Sequence, residues 1–148
     1  MCFGLCGNLT VLYVSQGKKF KTRTIDAGES QELTINLRPT YLVTQAVLPH
    51  LVDGGGGAIV CVSARAAVAP FRGAGGYATA KAGVLAFAQT VAVEYRADGV
   101  RCNTVLPSVI DTPANRAAEP DADHSRWVPP EQVAAVIRFL CGEESAPT

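Results

Sequence analysis

A short, uninterrupted apolar run constrains the fold of this chain more than any other feature. Residues 58–62 read A-I-V-C-V, follow the four glycines at 54–57, and are followed directly by Ser63. A strand that is apolar at every position has no polar face, which is typical of strands buried on both sides of a parallel sheet. Because ligands bind at the carboxyl ends of such strands, Ser63 is predicted to lie beside a binding crevice.

The segment before this run is predicted to be a bent helix. Residues 29–51 carry an approximate helical stripe of apolar side chains, with Pro39 inside it. Proline has no N–H for the carbonyl four residues earlier, and its ring clashes there, so we expect a kink near Ile35 and Asn36. Pro49 and the pair 53–54 are predicted to end the helix.

Helices and strands alternate along the rest of the chain. Residues 77–96 are predicted to form a helix, residues 100–106 a strand, and the segment from Pro129 onwards a final helix; residues 9–15 have the composition of a further strand. This alternation predicts an α/β fold, a partial Rossmann-like (doubly wound) parallel sheet flanked by helices. We assign residues 31–148 to one domain and residues 1–30 to an irregular or strand-containing segment of unclear role.

The glycine run at 54–57 is interpreted as a connection. Glycine-rich loops that cradle phosphates leave a strand and enter a helix, so that helix N–H groups point at the anion. Here the order is reversed, with a helix before the glycines and a strand after them.

Two side chains at the start of the helix at 77–96 could take part in proton-transfer chemistry. Tyr77 and Lys81 are four residues apart, so they share one helix face. A phenol has a pKa of about 10, and a nearby cation lowers it by roughly 1–3 units. Ser63 could then hydrogen-bond a carbonyl oxygen while Tyr77 donates or removes its proton. With a hydride carrier, this set would interconvert a ketone and an alcohol.

The ordered set of these residues resembles the short-chain dehydrogenase/reductase family. The resemblance rests on Ser63 after an apolar strand, Y-A-T-A-K at 77–81, and N-T-V-L-P-S-V-I-D-T at 103–112, and it covers residues 33–146. It implies NAD or NADP as the cofactor. It also implies that Asn36 is the fourth catalytic residue, with its main-chain carbonyl holding a water of the proton relay; a kink without catalytic meaning is the alternative. The implied cofactor contacts are Tyr77, Lys81, Pro107, Ile110 and Thr112.

The dinucleotide-binding half of such enzymes has no counterpart in this sequence, which contains no G-x-x-x-G-x-G. We therefore interpret the chain as a truncated catalytic half. One hypothesis is an NAD(P)-dependent oxidoreductase acting on a small carbonyl or alcohol substrate. The other is an inactive remnant or an interaction protein that cannot bind dinucleotide by itself. The resemblance further implies a homo-oligomer formed through the helices at 33–49 and 77–96.

Charge and cysteine content argue against other classes of partner. The chain has 13 basic and 13 acidic residues, which gives no electrostatic reason to bind nucleic acid or a membrane surface. No apolar run reaches the roughly 18 residues that span a bilayer. The five cysteines show no zinc-site spacing. We expect them to be small buried residues of a cytoplasmic protein without a metal.

Overall fold

The described residues form a three-stranded parallel sheet with helices on both faces. The computed structural model describes residues 9–12 and 32–146. The strands are β1 (Leu9–Leu12), β2 (Gly57–Val62) and β3 (Val100–Val105), and β2 lies in the middle. The predicted α/β class is confirmed. The strand expected at 9–15 is observed over its first four residues, and the rest of segment 1–30 lies outside the described residues.

The three predicted helices are observed in the predicted order, and one further short helix precedes the last of them. They are a π-helical segment at Leu33–Leu37, α1 (Arg38–Asp53), α2 (Gly75–Glu94), α3 (Pro113–Ala118) and α4 (Pro130–Cys141). Single 3₁₀ turns occupy Arg65–Ala67, Arg96–Asp98, His124–Arg126 and Glu143–Ser145. The strand β2 and the helices α2 and α4 begin within two residues of their predicted starts.

The apolar character of β2 follows from its position between two helical layers. Ile59 and Cys61 pack against the core residues of α1 and α2. Val60 and Val62 point to the other face, where they pack against Ile137 of α4. Because alternate residues of a strand face opposite sides of the sheet, each position of β2 meets apolar neighbours. The prediction of a strand buried on both faces is confirmed.

The kink predicted before Pro39 takes the form of the π-helical segment. The N–H of Arg38 bonds to Leu33 O, five residues back, which is the π-helical pattern. Proline would leave the carbonyl of Ile35 without its α-helical donor, and the widened turn accommodates this loss. Asn36 lies inside the segment and is buried, at 4% exposure. The expected distortion at Ile35 and Asn36 is therefore confirmed.

The prediction that Pro49 ends the first helix is wrong. α1 continues through Pro49 to Asp53, and Gly54 follows as its C-terminal cap. Pro49 removes one N–H, whose acceptor would be the carbonyl of Gln45, and both residues are exposed. Water can satisfy that carbonyl, so one missing bond near the end of a helix is tolerated.

The glycine run joins α1 to β2, as predicted. The N–H of Gly56 bonds to Leu51 O at 2.9 Å, and the N–H of Gly57 bonds to Gly99 O at 3.1 Å. Gly56 has a φ of 120°, a region that side chains rarely allow. These hydrogen bonds hold the connection next to Gly99, the residue that precedes β3.

Arg101 of β3 holds the carboxyl-terminal end of α4. Its guanidinium donates to Leu140 O at 2.9 Å, to Gly142 O at 3.0 Å, and to the main-chain and hydroxyl oxygens of Ser145. Helix ends leave carbonyls without intrahelical partners, and a cation there also interacts favourably with the helix dipole. This contact fixes α4 on its face of the sheet.

Candidate active site at the carboxyl edge of the sheet

Hydrogen bonds extend the pairing of β2 and β3 beyond the strands and create a shared edge. The N–H of Ser63 bonds to Val105 O at 2.9 Å, and the N–H of Arg65 bonds to Pro107 O at 3.0 Å. α2 returns to this edge, with its first residue at Gly75. Tyr77 therefore lies in the first turn of α2, next to the ends of two parallel strands.

Ser63 and Lys81 tie α2 to the end of β2 by reciprocal hydrogen bonds. The Ser63 hydroxyl donates to Lys81 O at 2.7 Å, and Lys81 Nζ donates to Val62 O at 3.2 Å. Ser63 and Lys81 are each only 2% exposed. Lys81 Nζ also lies 5.8 Å from the centroid of the Tyr77 ring, within the range of a cation–π contact. The structure thus brings Lys81 into contact with Ser63 and Tyr77 of the predicted set.

The Ser63 hydroxyl hydrogen is directed at the main chain of α2. Ser63 continues the alternation of Ile59 and Cys61, so its side chain faces the helix layer that contains Lys81. A hydroxyl has one hydrogen to donate, and contact with a substrate carbonyl would require the hydroxyl to rotate away from Lys81 O. The carbonyl-binding role of Ser63 stays a prediction.

Asn36 is held by a carboxylate that the sequence analysis did not single out. Its Nδ2 donates to Glu32 Oε2 at 2.6 Å and to Glu32 O at 3.3 Å. The other side-chain atom, Oδ1, is buried and has no hydrogen-bond partner among the residues that the structure describes. The main-chain carbonyl accepts a long hydrogen bond of 3.4 Å from the Thr40 hydroxyl. The catalytic role expected of Asn36 stays a prediction.

The π-helical segment packs closely against α2. A side chain at Gly83, two residues after Lys81, would meet Leu37 Cδ2 at 2.9 Å. Glycine at this position therefore avoids a close contact with the end of the Leu37 side chain, which belongs to the same segment as Asn36.

The segment after β3 offers two hydrogen-bond donors. Ile110 forms a parallel bridge with Val128, and Asn115 Nδ2 donates to Ile110 O at 2.7 Å. The N–H of Ile110 has no acceptor within residues 9–12 and 32–146. Thr112 Oγ1 accepts from the N–H of Asn115 at 3.1 Å and caps α3, which leaves its hydroxyl hydrogen to donate. The cofactor-binding roles expected of Pro107, Ile110 and Thr112 stay predictions.

Comparison with known proteins identifies the family of the chain. Residues 5–123 match the family model described as short chain dehydrogenase. The chain belongs to the short-chain dehydrogenase family. It is 35% identical over 123 residues to 2-(R)-hydroxypropyl-CoM dehydrogenase of Xanthobacter autotrophicus, which covers 76% of this chain and 49% of that protein. It is 39% identical over 122 residues to (3R)-3-hydroxyacyl-CoA dehydrogenase of Rattus norvegicus, covering 76% and 47%.

A solved structure from the short-chain dehydrogenase/reductase family shows the same fold. It is the crystal structure of an oxidoreductase from Burkholderia thailandensis, with a TM-score of 0.77 and 31% identity, covering 84% of this chain and 53% of that one. The chain thus spans about half the length of each of these three relatives.

Two further properties of the described residues bear on the site. No helix among them combines the length and the apolar character needed to cross a bilayer. Within the same residues, no group of three or more His, Cys, Asp or Glu side chains is arranged to hold a metal ion. Cys61 and Cys102 are buried as free thiols, as predicted, and Cys141 is half-buried. Cytoplasmic location stays a prediction.

Burial lowers the pKa of Lys81 in this family member. The ammonium has left water, and desolvation penalises its charged form; the negative charge of Glu32 acts in the opposite direction. The role predicted for Lys81, stabilising a tyrosinate, requires its protonated form. The balance between burial and Glu32 therefore decides whether the site has its cation at a given pH.

The lowered pKa of Lys81 predicts how stability depends on pH. Between the lowered pKa in the folded state and the unfolded value of about 10.4, the unfolded chain binds more protons. Stability should therefore rise with pH in that window. Lys81→Met removes this dependence, so the urea midpoint of the wild type should rise relative to that of Lys81→Met as pH increases. Arg65→Met, which removes an exposed cation, is the control. Curves for wild type and Lys81→Met that run parallel would contradict the prediction.

Proposed function

We propose that this chain carries the catalytic site of an NAD(P)-dependent oxidoreductase that interconverts a ketone and a secondary alcohol. The observation that supports this most is the buried Lys81 ammonium, fixed by Val62 O and placed 5.8 Å from the Tyr77 ring. Burying a charge that is not paired is unfavourable. Ionisable groups with perturbed pKa values concentrate at functional sites. Asn36, Ser63, Tyr77 and Lys81 form the proposed catalytic set.

Tyr77 is the proposed proton donor and acceptor. The bound cofactor supplies or accepts the hydride. In the direction of reduction, the Tyr77 hydroxyl gives its proton to the carbonyl oxygen, and the resulting phenolate is stabilised by the Lys81 ammonium. In the direction of oxidation, the phenolate takes the proton of the alcohol. A positioned proton-transfer group of this kind contributes about 10²–10⁴-fold to a rate.

The nicotinamide end of the cofactor fits the segment after β3. The Ile110 N–H and the Thr112 hydroxyl are two donors that suit the oxygen of a carboxamide, and Pro107 is pinned to Arg65 at the base of the same segment. Tyr77 and Lys81 of α2 complete the proposed set of cofactor contacts. An alcohol substrate is consistent with the names of the two curated relatives, a hydroxypropyl-CoM and a hydroxyacyl-CoA dehydrogenase.

Cofactor binding by the isolated chain tests the proposal directly. Isothermal titration with NADH and with NADPH should show heat for at least one of them, and Thr112→Val should weaken that binding because it loses a donor without losing volume. The absence of heat at millimolar cofactor would contradict the proposal for this chain. It would favour the alternative, a chain of the family that does not bind dinucleotide by itself. The sequence feature behind that alternative is the missing G-x-x-x-G-x-G.

We also propose a homo-oligomer formed through the helices at 33–49 and 77–96. A groove of about 410 Å³ lies between the π-helical segment, α1 and α2, and its lining is mostly apolar. Leu33, Tyr41 and Leu42 are exposed on or beside it, at 39%, 50% and 45%. Exposed apolar side chains grouped on one face mark a surface that a partner can cover.

A further inference from the structure

The Lys81 ammonium has fewer partners than a buried charge requires. Lysine carries three N–H donors, and within the described part of the chain one of them is used, by Val62 O at 3.2 Å. The residue is 2% exposed, so water does not freely solvate the other two N–H donors. Buried charges persist when an opposite charge compensates them, and otherwise they lose the charge.

Glu32 is an acid whose charge favours the protonated form of Lys81. It lies one residue before the π-helical segment, which packs against α2, and it is half-buried. Its attraction for the Lys81 ammonium opposes the effect of burial. The same carboxylate accepts from Asn36 Nδ2 at 2.6 Å. Because a carboxylate only accepts hydrogen bonds, this contact turns the amide nitrogen of Asn36 towards Glu32 and its Oδ1 away.

Among residues 32–146, no other acid affects the pKa of Lys81 in this way. Asp111, in the segment after β3, is an acid whose carboxylate is bound by Arg116. The remaining titratable or charged side chains near the strand ends, along α2 and in the first turn of α1 are Arg38, Tyr41, Cys61, Arg65, Tyr77, Glu94, Arg101 and Cys102. Of these, Glu94 is an acid, but it is exposed and lies 13 residues along α2, about 20 Å from Lys81 at 1.5 Å per residue. Asp98 lies beyond it and is exposed as well.

We propose that Glu32 is a positioning residue of the Tyr77–Lys81 site. It supplies the negative charge that keeps the buried Lys81 ammonium protonated, and it orients the Asn36 side chain. Loss of the Glu32 charge would leave Lys81 to desolvation alone, and a neutral amine would no longer stabilise a tyrosinate. The consequence for catalysis rests on the proposed function, whereas the effect on the protonation of Lys81 is a property of the chain itself.

The protonation of Lys81 can be measured without cofactor or substrate. The chain has four lysines, so the side-chain resonances of ¹³C,¹⁵N-lysine-labelled protein are few, and Lys81→Met identifies the one of interest. In Glu32→Gln, the pKa of Lys81 should fall below its wild-type value. Glu94→Gln makes the same chemical change on α2 itself and should leave the titration of Lys81 unchanged. Glu32→Asp, which keeps the charge, should titrate closer to the wild type than Glu32→Gln does.

The outcomes separate this inference from the proposed function. A Lys81 titration that is the same in Glu32→Gln and wild type would overturn it, as would an equal shift in Glu94→Gln. A second measurement follows the side-chain amide of Asn36, whose resonance should move in Glu32→Gln and stay in Glu94→Gln. If the chain turns over a substrate, the pH profile of turnover in Glu32→Gln should shift in the direction of the Lys81 titration. If the chain is inactive, the resonances of Lys81 and Asn36 still decide whether Glu32 has the proposed role.

Discussion

Tyr77→Phe is expected to lower turnover of any ketone or alcohol by about 10²–10⁴-fold, the contribution of a positioned proton-transfer group. This corresponds to about 3–5 kcal/mol of transition-state stabilisation. Phenylalanine keeps the ring that lies 5.8 Å from Lys81 Nζ and removes the hydroxyl. The contact between the ring and the ammonium is therefore retained, and the loss should fall on kcat while the folded state is preserved. The measurement is the rate of oxidation of the reduced nicotinamide cofactor with a panel of small ketones.

Tyr95→Phe provides a matched control for this prediction. Tyr95 directly follows α2 at its other end, is half-buried, and packs against the core cluster that includes Val91. The substitution removes the same hydroxyl from the same helix, about 27 Å from Tyr77 at 1.5 Å per residue, so turnover should be unchanged. Equal losses in the two variants would show that the effect arises from the helix and not from a proton donor. Full activity in Tyr77→Phe would show that the proton comes from another group.

The parts of the fold that were predicted correctly are those with a local cause. The all-apolar run of β2 indicated burial on both faces, and the structure provides α1 and α2 on one face and α4 on the other. Pro39 removes a specific N–H, so the distortion at Asn36 follows from covalent structure. Pro49 has the same chemistry, yet the helix continues, because its effect falls where exposed carbonyls are satisfied by water. That difference depends on burial, which local sequence does not specify.

The site was predictable as a set of residues and not as a set of contacts. Tyr77 and Lys81 share a helix face by spacing alone. The direction of the Ser63 hydroxyl depends on which helix covers that face of β2, a long-range property, and the structure directs it to Lys81 O. Glu32 and Asn36 are four residues apart, a visible signal for contact on a helix. The link from Glu32 to Lys81 spans 49 positions of sequence and needs the packed structure.

The largest expected effect on stability is that of Gly56→Ala. A Cβ at this position would lie 2.5 Å from Gly99 O and 3.0 Å from Gly99 C, both main-chain atoms that cannot rotate away. The φ of 120° lies in a region that is essentially restricted to glycine, where another residue is strained by about 1–3 kcal/mol. Displacing the backbone to relieve the contact costs about a further 1–3 kcal/mol. The sum is a large part of the 5–15 kcal/mol that typically stabilises a domain.

Gly55→Ala separates the contact from the conformational strain. Gly55 also has a positive φ, at 82°, but a Cβ there meets nothing within 4 Å. Gly55→Ala should therefore lower the free energy of unfolding by only about 1–2 kcal/mol, the cost of a left-handed backbone conformation for a residue with a Cβ. Both substitutions restrict the unfolded chain equally, so that contribution cancels in the comparison. Urea unfolding should place Gly56→Ala well below Gly55→Ala, because the contact also pushes apart the 3.1 Å bond from Gly57 N–H to Gly99 O at the start of the β2–β3 pairing. Equal midpoints for the two variants would mean that the approach of Gly56 to Gly99 does not hold the strands in register.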